Sequence, residues 1–494
     1  QEQFDYAMAL LHSFFYPETV KAFTKVAELD PTCAMAYWGV AQAYRQNPLI
    51  AGAALEKEAW AALEKGLATG TKTQRERDWL AAVEVLFRDY DKVPYGERVK
   101  AYTRAMERLA AAHPEDIEAQ IYYALALNES ADLADTTLAN QRKAGELLER
   151  LWPRLPEHPG VAHYLIHTYD YPQLAERGLP AARAYAALAP ASPHAKHMPS
   201  HVFSMAGMWE DVAKADEAAR AAWVEYGAKA FGGAATGELH SMDFLTYAYL
   251  QTARDRKAGE MVDLRNGITK IAAKRLPTYT AYAAIPVRYA LERDDWARAA
   301  ALELPAIEPI ATEFPQALAI GHFGRALGAV RSGRPDAADT DTARLEAIRR
   351  DLEAKGDRYW AQQVEVQEKA AKAWTVFARG RRDEALALMR EAADLEDGSK
   401  KHIAMENRLI PMRELLADML LEAGQPQAAL REYEASLVNA PNRFRSYAGA
   451  AKAAEAAKDP GKAKGYYGKL VTLAASAEGK RSVLSDAKRV LQQG

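Results

Sequence analysis

The sequence predicts an all-α protein, and three observations support this prediction. Apolar residues recur with a helical period, as in "LLADMLLEAGQPQAAL". The helical segments end at glycine or proline, residues that terminate helices. Runs with strand character, such as "HVF" and "TVF", are too short and lie within helical periodicity. Helices joined by turns are therefore expected along the whole chain.

Several segments share one pattern, in which a turn precedes a helix with small residues at close-packing positions and often a final proline. Examples are "PETVKAFTKVAELDP", "PQAALREYEASLVNAP" and "RRDEALALMREAADLE". The pattern resembles the second half of a tetratricopeptide repeat, a helical hairpin of about 34 residues. The resemblance covers nearly the whole chain and implies a right-handed α-solenoid of about 11–12 hairpins. We divide this continuous solenoid into N-terminal repeats (1–158), central repeats (159–275) and C-terminal repeats (276–494).

Composition excludes some classes of partner and site. The net charge is −3 over 494 residues, and without a basic stripe a nucleic-acid partner is not expected. No run of eighteen residues is wholly apolar, so no membrane span is predicted. Cys33 is the only cysteine, which excludes an intrachain disulfide and a thiolate cluster. Because the chain begins at Gln1, we expect a processed periplasmic or secreted protein, with a cytoplasmic location as the alternative.

A histidine cluster is the most unusual feature of the sequence. Five of the eleven histidines lie in the stretch from "HYLIHTYDYP" to "SPHAKHMPSH". His163 and His167 are four residues apart, as are His197 and His201, so each pair is predicted to share one helical face. In tetratricopeptide repeats, positions two, five, nine and twelve face the groove, so the resemblance implies that all four histidines line the concave surface. Neighbouring first helices pack about 8–10 Å apart, so the four imidazoles are expected to form a rough square.

Further polar residues are expected near the two pairs. Asp170 falls at position twelve beside His167, and "LHSMDFLTYAYLQ" places His240 near position two and Asp243 near position five of the next repeat. Imidazoles are common ligands of Zn, Cu and Fe, and carboxylates complete or orient such sites. The predicted metal ligands are therefore the four paired histidines and His240, with Asp170 and Asp243 as further ligands or orienting groups. No catalytic residue is predicted.

Other interpretations of the cluster remain open. The histidines could instead bond to one another, to water or to a bound peptide. "HYLIH" lacks the glutamate of the HExxH zinc-protease motif, and Pro199 is expected in a first helical turn or at a kink. Binding is expected to weaken below about pH 6, near the unperturbed pKa of imidazole. Trp38 and several other aromatic residues are interpreted as core, with a pocket role left open.

The stretch "HYLIHTYDYP…HMPSHVFSMAGMW" resembles one in a largely unassigned group of bacterial tetratricopeptide proteins. This resemblance implies a specialised site but no particular reaction. Three functions are considered. The first is a metal-dependent protein, possibly an enzyme, that acts on a small molecule or peptide in its groove. The second is a non-catalytic scaffold for a protein partner, and the third is a carrier of a metal or small molecule.

Overall fold

The computed structural model describes residues 1–50, 55–272, 274–305, 307, 310–402, 408–479 and 481–492. Contacts between Cα atoms divide the chain into two compact units, unit 1 (residues 1–202) and unit 2 (residues 203–494). The boundary falls within the segment 159–275 that the sequence sets apart. The division into three groups of repeats stays a prediction.

Unit 1 consists of successive short helices. They are α1 (Glu2–His12), α2 (Tyr16–Leu29), α3 (Ala34–Arg45), α4 (Glu56–Thr69), α5 (Gln74–Phe87), α6 (Tyr95–Ala112), α7 (Ile117–Glu129), α8 (Ala139–Leu151), α9 (Pro159–Thr168), α10 (Ala175–Leu188) and α11 (Pro193–His197). Five hairpins form by packing of α1 on α2, α3 on α4, α5 on α6, α7 on α8 and α9 on α10. First helices of neighbouring hairpins also pack together, as α1 does on α3 and α7 on α9. Helix α12 (Pro199–Met205) crosses the unit boundary.

Unit 2 repeats the same arrangement. Its helices are α13 (Trp209–Ala230), α14 (Glu238–Gln251), α15 (Asp255–Asn266), α16 (Leu276–Leu291), α17 (Trp296–Ala300), α18 (Ile310–Glu313), α19 (Pro315–Arg331), α20 (Ala338–Ala354), α21 (Arg358–Ala378), α22 (Arg382–Asp397), α23 (Met412–Glu422), α24 (Pro426–Asn439), α25 (Phe444–Ala456), α26 (Pro460–Leu473) and α27 (Ser482–Gln492). Six hairpins pair α14 with α15, α16 with α17, α19 with α20, α21 with α22, α23 with α24 and α25 with α26.

These two units confirm the predicted all-α class of stacked helical hairpins. Eleven hairpins are present in the described residues, within the predicted range. The same residues contain no strand, and only an isolated bridge joins Ala235 to Ile271. None of their helices combines the length and apolarity needed to cross a bilayer.

Local sequence signals fix many helix ends. Thr73 forms a capping box at the start of α5, in which its side chain accepts a bond from the Glu76 N–H and the Glu76 carboxylate accepts one from the Thr73 N–H. Proline begins α9, and because the first N–H groups of a helix have no partner within it, the missing N–H costs no helical hydrogen bond. Gly207 has a φ of 68°, and a Cβ there would lie 2.7 Å from the Pro441 carbonyl oxygen. Both the conformation and the close contact therefore require glycine.

A contact between distant repeats closes unit 1. Helix α1 packs against α9, about 150 residues later in the chain, as well as against its neighbours α2 and α3. The His12 side chain at the end of α1 is 1% exposed, and its Nδ1 lies 3.0 Å from the Tyr164 hydroxyl on α9. This contact brings the first repeat beside the histidine pair of the fifth.

Unit 2 has a comparable long-range contact, built from buried charges. Arg443, which is 0% exposed, donates to Glu292 (2.8 Å) and to Glu414 (2.9 Å). It also donates to the Tyr247 hydroxyl on α14. Both carboxylates are buried, and Arg443 is the cation that they share, although Glu414 also accepts a bond from Arg445 (2.7 Å). Glu414 therefore has a structural role in unit 2.

We expect Arg443→Met to destabilise the protein by about 3–5 kcal/mol, because it leaves the buried Glu292 and Glu414 without their shared cation. The measurement is the free energy of unfolding by urea denaturation. Arg489→Met is the matched control. Arg489 is 60% exposed and pairs with Asp486 at 3.2 Å, so its loss should change stability by less than about 0.5 kcal/mol. Equal effects of the two substitutions would contradict this account of unit 2.

Candidate metal centre

Helix α9 presents the first histidine pair on one face. His163 and His167 are 0% and 4% exposed, and their ring centroids are 4.7 Å apart. The spacing of four residues produces this proximity, as predicted. His158 caps the helix, because its Nδ1 accepts bonds from the N–H groups of Gly160 and Val161 (3.1 and 3.4 Å). His158 is therefore the N-cap residue of α9.

The second pair spans a break between two helices. Helix α11 ends at His197, and α12 begins at Pro199, so the proline lies in a first turn, where its missing N–H is tolerated. Despite the break, the Nε2 atoms of His197 and His201 are 3.0 Å apart and the ring centroids 4.8 Å. Both side chains are at most 2% exposed. The proline therefore does not separate the pair.

The two pairs meet within unit 1, but not as a simple square. The rings of His167 and His201 are 5.9 Å apart. Beside His163 lies His194, whose Nε2 is 3.3 Å from the Nε2 of His163. The ring of His194 is 6.3 Å from that of His197. His194 therefore belongs to the cluster, although it is absent from the predicted ligands.

A sequence signal for His194 exists. If Pro193 is position one of its repeat, His197 is position five and His194 is position two, another groove position of the tetratricopeptide pattern. His194 is also the only one of the five clustered histidines that is partly exposed. The cluster is therefore open to solvent at His194 more than at its other members.

Hydrogen bonds to the Nδ1 atoms indicate the tautomers of two cluster histidines. The Nδ1 of His163 lies 2.6 Å from the His12 carbonyl oxygen, so Nδ1–H donates and Nε2 carries the lone pair. The Nδ1 of His201 lies 2.8 Å from Asp170 Oδ2, which indicates the same tautomer. Carbonyl or carboxylate partners of this kind orient metal-binding histidines and raise their basicity. Asp170 therefore orients the His201 ring, and its role at a metal stays a prediction.

His167 is the anomaly of the cluster. Both of its ring nitrogens are buried, and neither has a hydrogen-bond partner among the residues that the structure describes. Leaving a buried polar atom without a partner costs about 1–3 kcal/mol, so native proteins rarely do so. The pKa of His167 lies well below its usual value because of burial and the neighbouring histidines. Burial likewise lowers the pKa of His163 to about 3, so both rings are neutral at neutral pH.

Aromatic residues enclose the cluster. The Phe14 ring lies 4.4 Å from that of His163, 5.7 Å from that of His167 and 5.9 Å from that of His194. Tyr185 stacks on His163 with ring centroids 4.9 Å apart and an interplanar angle of 12°. Phe14 has a φ of 52°, an unfavourable conformation for an aromatic residue, and such strain is concentrated at functional sites. These rings remove water from the imidazoles on two sides.

A separate cluster in unit 1 contains His12, Glu118 and His158. Each imidazole Nε2 lies 3.0 Å from one oxygen of the Glu118 carboxylate. Burial raises the pKa of Glu118, but the charge attraction and hydrogen bonds of His12 and His158 outweigh it and hold the pKa below its usual value. Glu118 is therefore ionised. Sequence reasoning missed this cluster because its members lie 40 and 106 residues apart.

The remaining predicted site residues, His240 and Asp243, lie on α14 in unit 2. The His240 ring is partly exposed and contacts Phe244 with centroids 5.1 Å apart. Asp243 accepts hydrogen bonds from Arg288 through both oxygens (3.0 and 3.3 Å). Burial raises the pKa of Asp243, and Arg288 opposes this effect. The roles of His240 and Asp243 at a metal stay predictions.

Comparisons with known proteins add no function. No family model and no curated protein matches the chain. Among solved structures, it is similar to one described as "Crystal structure of APC/C hetero-tetramer Cut9-Hcn1". The match has 13% sequence identity and a TM-score of 0.27, and covers 98% of this chain and 95% of the other. Similarity to a bacterial group with the HxxxH and HMPSH motifs stays a prediction.

Burial changes the expected effect of pH. The expectation that binding weakens below about pH 6 used the unperturbed pKa of imidazole, whereas folded His163 stays neutral down to about pH 3. Below about pH 6.5 the unfolded chain therefore binds a proton at this residue that the folded chain does not. We expect metal-free protein to lose stability as the pH falls from about 6.5 towards 3, by up to about 1.4 kcal/mol per pH unit for each such group.

Urea denaturation in EDTA at pH 7 and pH 5 measures this effect. His163→Asn retains an N–H for the His12 carbonyl but cannot titrate, so it should reduce the loss of stability between the two pH values. Gln120→Asn, outside the cluster, removes no titratable group and should leave that loss unchanged. The same pH dependence in wild type and His163→Asn would show that His163 is not held neutral by burial.

Proposed function

We propose that unit 1 is a metal-binding module that holds a transition-metal ion through His163, His167 and His194. The observation that carries this proposal is the pair of buried, unpartnered ring nitrogens of His167. An ion would supply the partner that this imidazole lacks. The ligand atoms of the three residues lie within 4.8 Å of one another, so small rotations of the rings are enough to bring them to one ion.

The tautomer and spacing of His163 support the same site. Its Nδ1–H is engaged by the His12 carbonyl, which leaves the Nε2 lone pair directed towards His194. The separation of 3.3 Å between the two Nε2 atoms equals the edge of a tetrahedron with Zn–N bonds of about 2.0–2.1 Å, roughly 3.3 Å. Three ligands would leave one position for water or substrate, which is the arrangement of catalytic rather than structural zinc sites.

The pair His197 and His201 extends the site. Asp170 fixes His201 with its Nε2 free of the proton, and the two Nε2 atoms are 3.0 Å apart. The pair can therefore coordinate the same ion or a second ion beside it. His240, with Asp243, is retained as a proposed further ligand pair in unit 2. The stoichiometry of binding distinguishes one ion from two.

The donor set favours Cu, Zn or Fe. Neutral imidazole suits all three, and the absence of cysteine from the cluster argues against thiolate sites. Such an ion would supply Lewis-acid or redox chemistry to a small molecule or peptide in the groove, which makes a metal-dependent enzyme one form of the proposal.

A carrier of the ion is the other form, since four of the five histidines are almost fully buried. A non-catalytic scaffold for a protein partner is the alternative. Export to the periplasm is part of the proposal.

Metal analysis tests the proposal. Protein without an affinity tag is stripped with EDTA, loaded separately with Zn, Cu or Fe, dialysed and analysed by mass spectrometry. We expect stoichiometric uptake of at least one ion, and a loss of about tenfold or more in affinity for His167→Ala, because removal of one ligand from three or four weakens binding strongly. His201→Ala should also lower occupancy.

His402→Ala provides the matched control. His402 is a buried histidine of unit 2, and burial lowers its pKa to about 4, but it lies outside the cluster. Its loss should leave occupancy unchanged, and circular dichroism should show full helicity in all three variants. Wild-type protein that takes up none of the ions would contradict the proposal and favour the scaffold. A turnover assay on loaded protein then separates an enzyme from a carrier.

A further inference from the structure

A cavity of about 410 Å³ lies in unit 1 beside the metal site. It is lined by residues of the first helices α1, α3, α5 and α7 and by the start of α9. His12 joins the two regions. Its side chain lines the cavity, whereas its carbonyl oxygen accepts the bond from His163. The volume is within the range of small-molecule sites, about 300–1,000 Å³.

The walls of the cavity are aromatic and thioether groups. Trp38 and Trp79 border the cavity and meet edge to face with ring centroids 5.3 Å apart, but each is only 1% exposed, so their faces are largely covered. Phe4 and Met8 are partly exposed. Phe4, Met8 and Met35 complete the apolar lining. The electron-rich faces of aromatic rings attract organic cations, and polarisable thioethers adapt to ligands of varied shape.

An ionised carboxylate forms the polar part of the wall. Glu118 accepts bonds from His12 and His158, yet its side chain is still 28% exposed and lines the cavity. Asp5 adds a second carboxylate from α1. Arg75, which also lines the cavity, is neutralised by two bonds to Asp116 (2.6 and 3.0 Å). The guanidinium of Arg75 lies 5.8 Å from the Trp79 ring, so the carboxylates of Glu118 and Asp5 are the groups of the lining that an organic cation can approach.

His12, Glu118 and His158 could in principle hold a metal ion, since their ligand atoms lie within 4.8 Å of one another. The tautomer of His158 opposes this. Its Nδ1 accepts two backbone N–H bonds at the start of α9, so the proton is on Nε2, the atom that faces Glu118. A metal at Nε2 would have to displace that proton and abolish the cap. Glu118 is therefore a carboxylate held by hydrogen bonds from two histidines, and this cluster is not proposed as a metal site.

We propose that this cavity binds an organic ammonium ion, with Glu118 opposite the charge and Phe4, Met8 and Met35 beside the apolar substituents. The Phe4 ring and the nearby carboxylates combine cation–π with charge attraction. The proposal specifies the small molecule of the proposed function. It does not require the metal ion, because the cavity and the histidine cluster use different side chains.

Choline and 3,3-dimethylbutan-1-ol test the charge requirement, because they have the same shape and differ in the positive nitrogen. Binding is measured by calorimetric titration and ligand-observed NMR, on EDTA-treated and on metal-loaded protein. We expect choline to bind both forms, about tenfold or more tightly than the alcohol. Equal binding of the two probes would show that the cavity recognises apolar shape alone and would overturn the proposal, as would binding of neither.

Two pairs of variants locate the bound choline. Ala9 is exposed and lines the cavity, so Ala9→Phe should fill the space without disturbing the core and abolish choline binding. Ala81→Phe, at an exposed position of α5 outside the cavity lining, should leave choline binding unchanged. Glu118→Gln should weaken choline binding about tenfold or more, whereas Glu107→Gln should have no effect. Glu107 is a fair control because it also accepts two hydrogen bonds, from Tyr123 and Lys143.

Retained choline binding in Ala9→Phe would place the ligand elsewhere and overturn the proposal, provided that the variant keeps its helicity. The proposed metal site fails independently of this one. Loss of choline binding with normal metal uptake would contradict only the proposed ammonium site. Normal choline binding without metal uptake would contradict only the proposed metal centre.

Discussion

The contact between the end of α1 and helix α9 is the constraint on which the candidate site depends. His12 is the last residue of α1, so its carbonyl oxygen accepts no hydrogen bond within the helix. The buried Nδ1–H of His163, in turn, needs an acceptor. The bond of 2.6 Å between them satisfies both groups at once. It also fixes the His163 ring with its second nitrogen towards His194. A C-terminal helix carbonyl carries partial negative charge, which increases the basicity of that nitrogen.

The same contact determines the surroundings of the cluster. Two residues after His12, Phe14 turns into a left-handed conformation that places its ring against three histidines. The His12 side chain points instead to Glu118 and the cavity. One short segment therefore shields the imidazoles, orients one of them and forms part of a neighbouring ligand pocket. The two proposed sites therefore share one residue, which lines the cavity with its side chain and holds His163 through its carbonyl oxygen.

Sequence reasoning predicted what local periodicity determines. The helical hairpins, the glycine and proline helix ends and the proximity of His163 to His167 all follow from residues a few positions apart. It could not predict the contacts of His12, because these depend on how far successive hairpins rotate before α1 meets α9. That rotation is the sum of many small packing angles, and the pattern of apolar residues does not specify them. Glu414 shows the same limit, since its partner Arg443 follows from the packing of later repeats in unit 2.

The measurement that tests the central claim most directly is anomalous X-ray diffraction from crystals of the metal-loaded protein, collected on both sides of the absorption edge of the ion. The account predicts a peak of anomalous density about 2.0–2.3 Å from the Nε2 of His163 and at similar distances from ring nitrogens of His167 and His194. Crystals of stoichiometrically loaded protein with anomalous density elsewhere, and none at these three imidazoles, would contradict it.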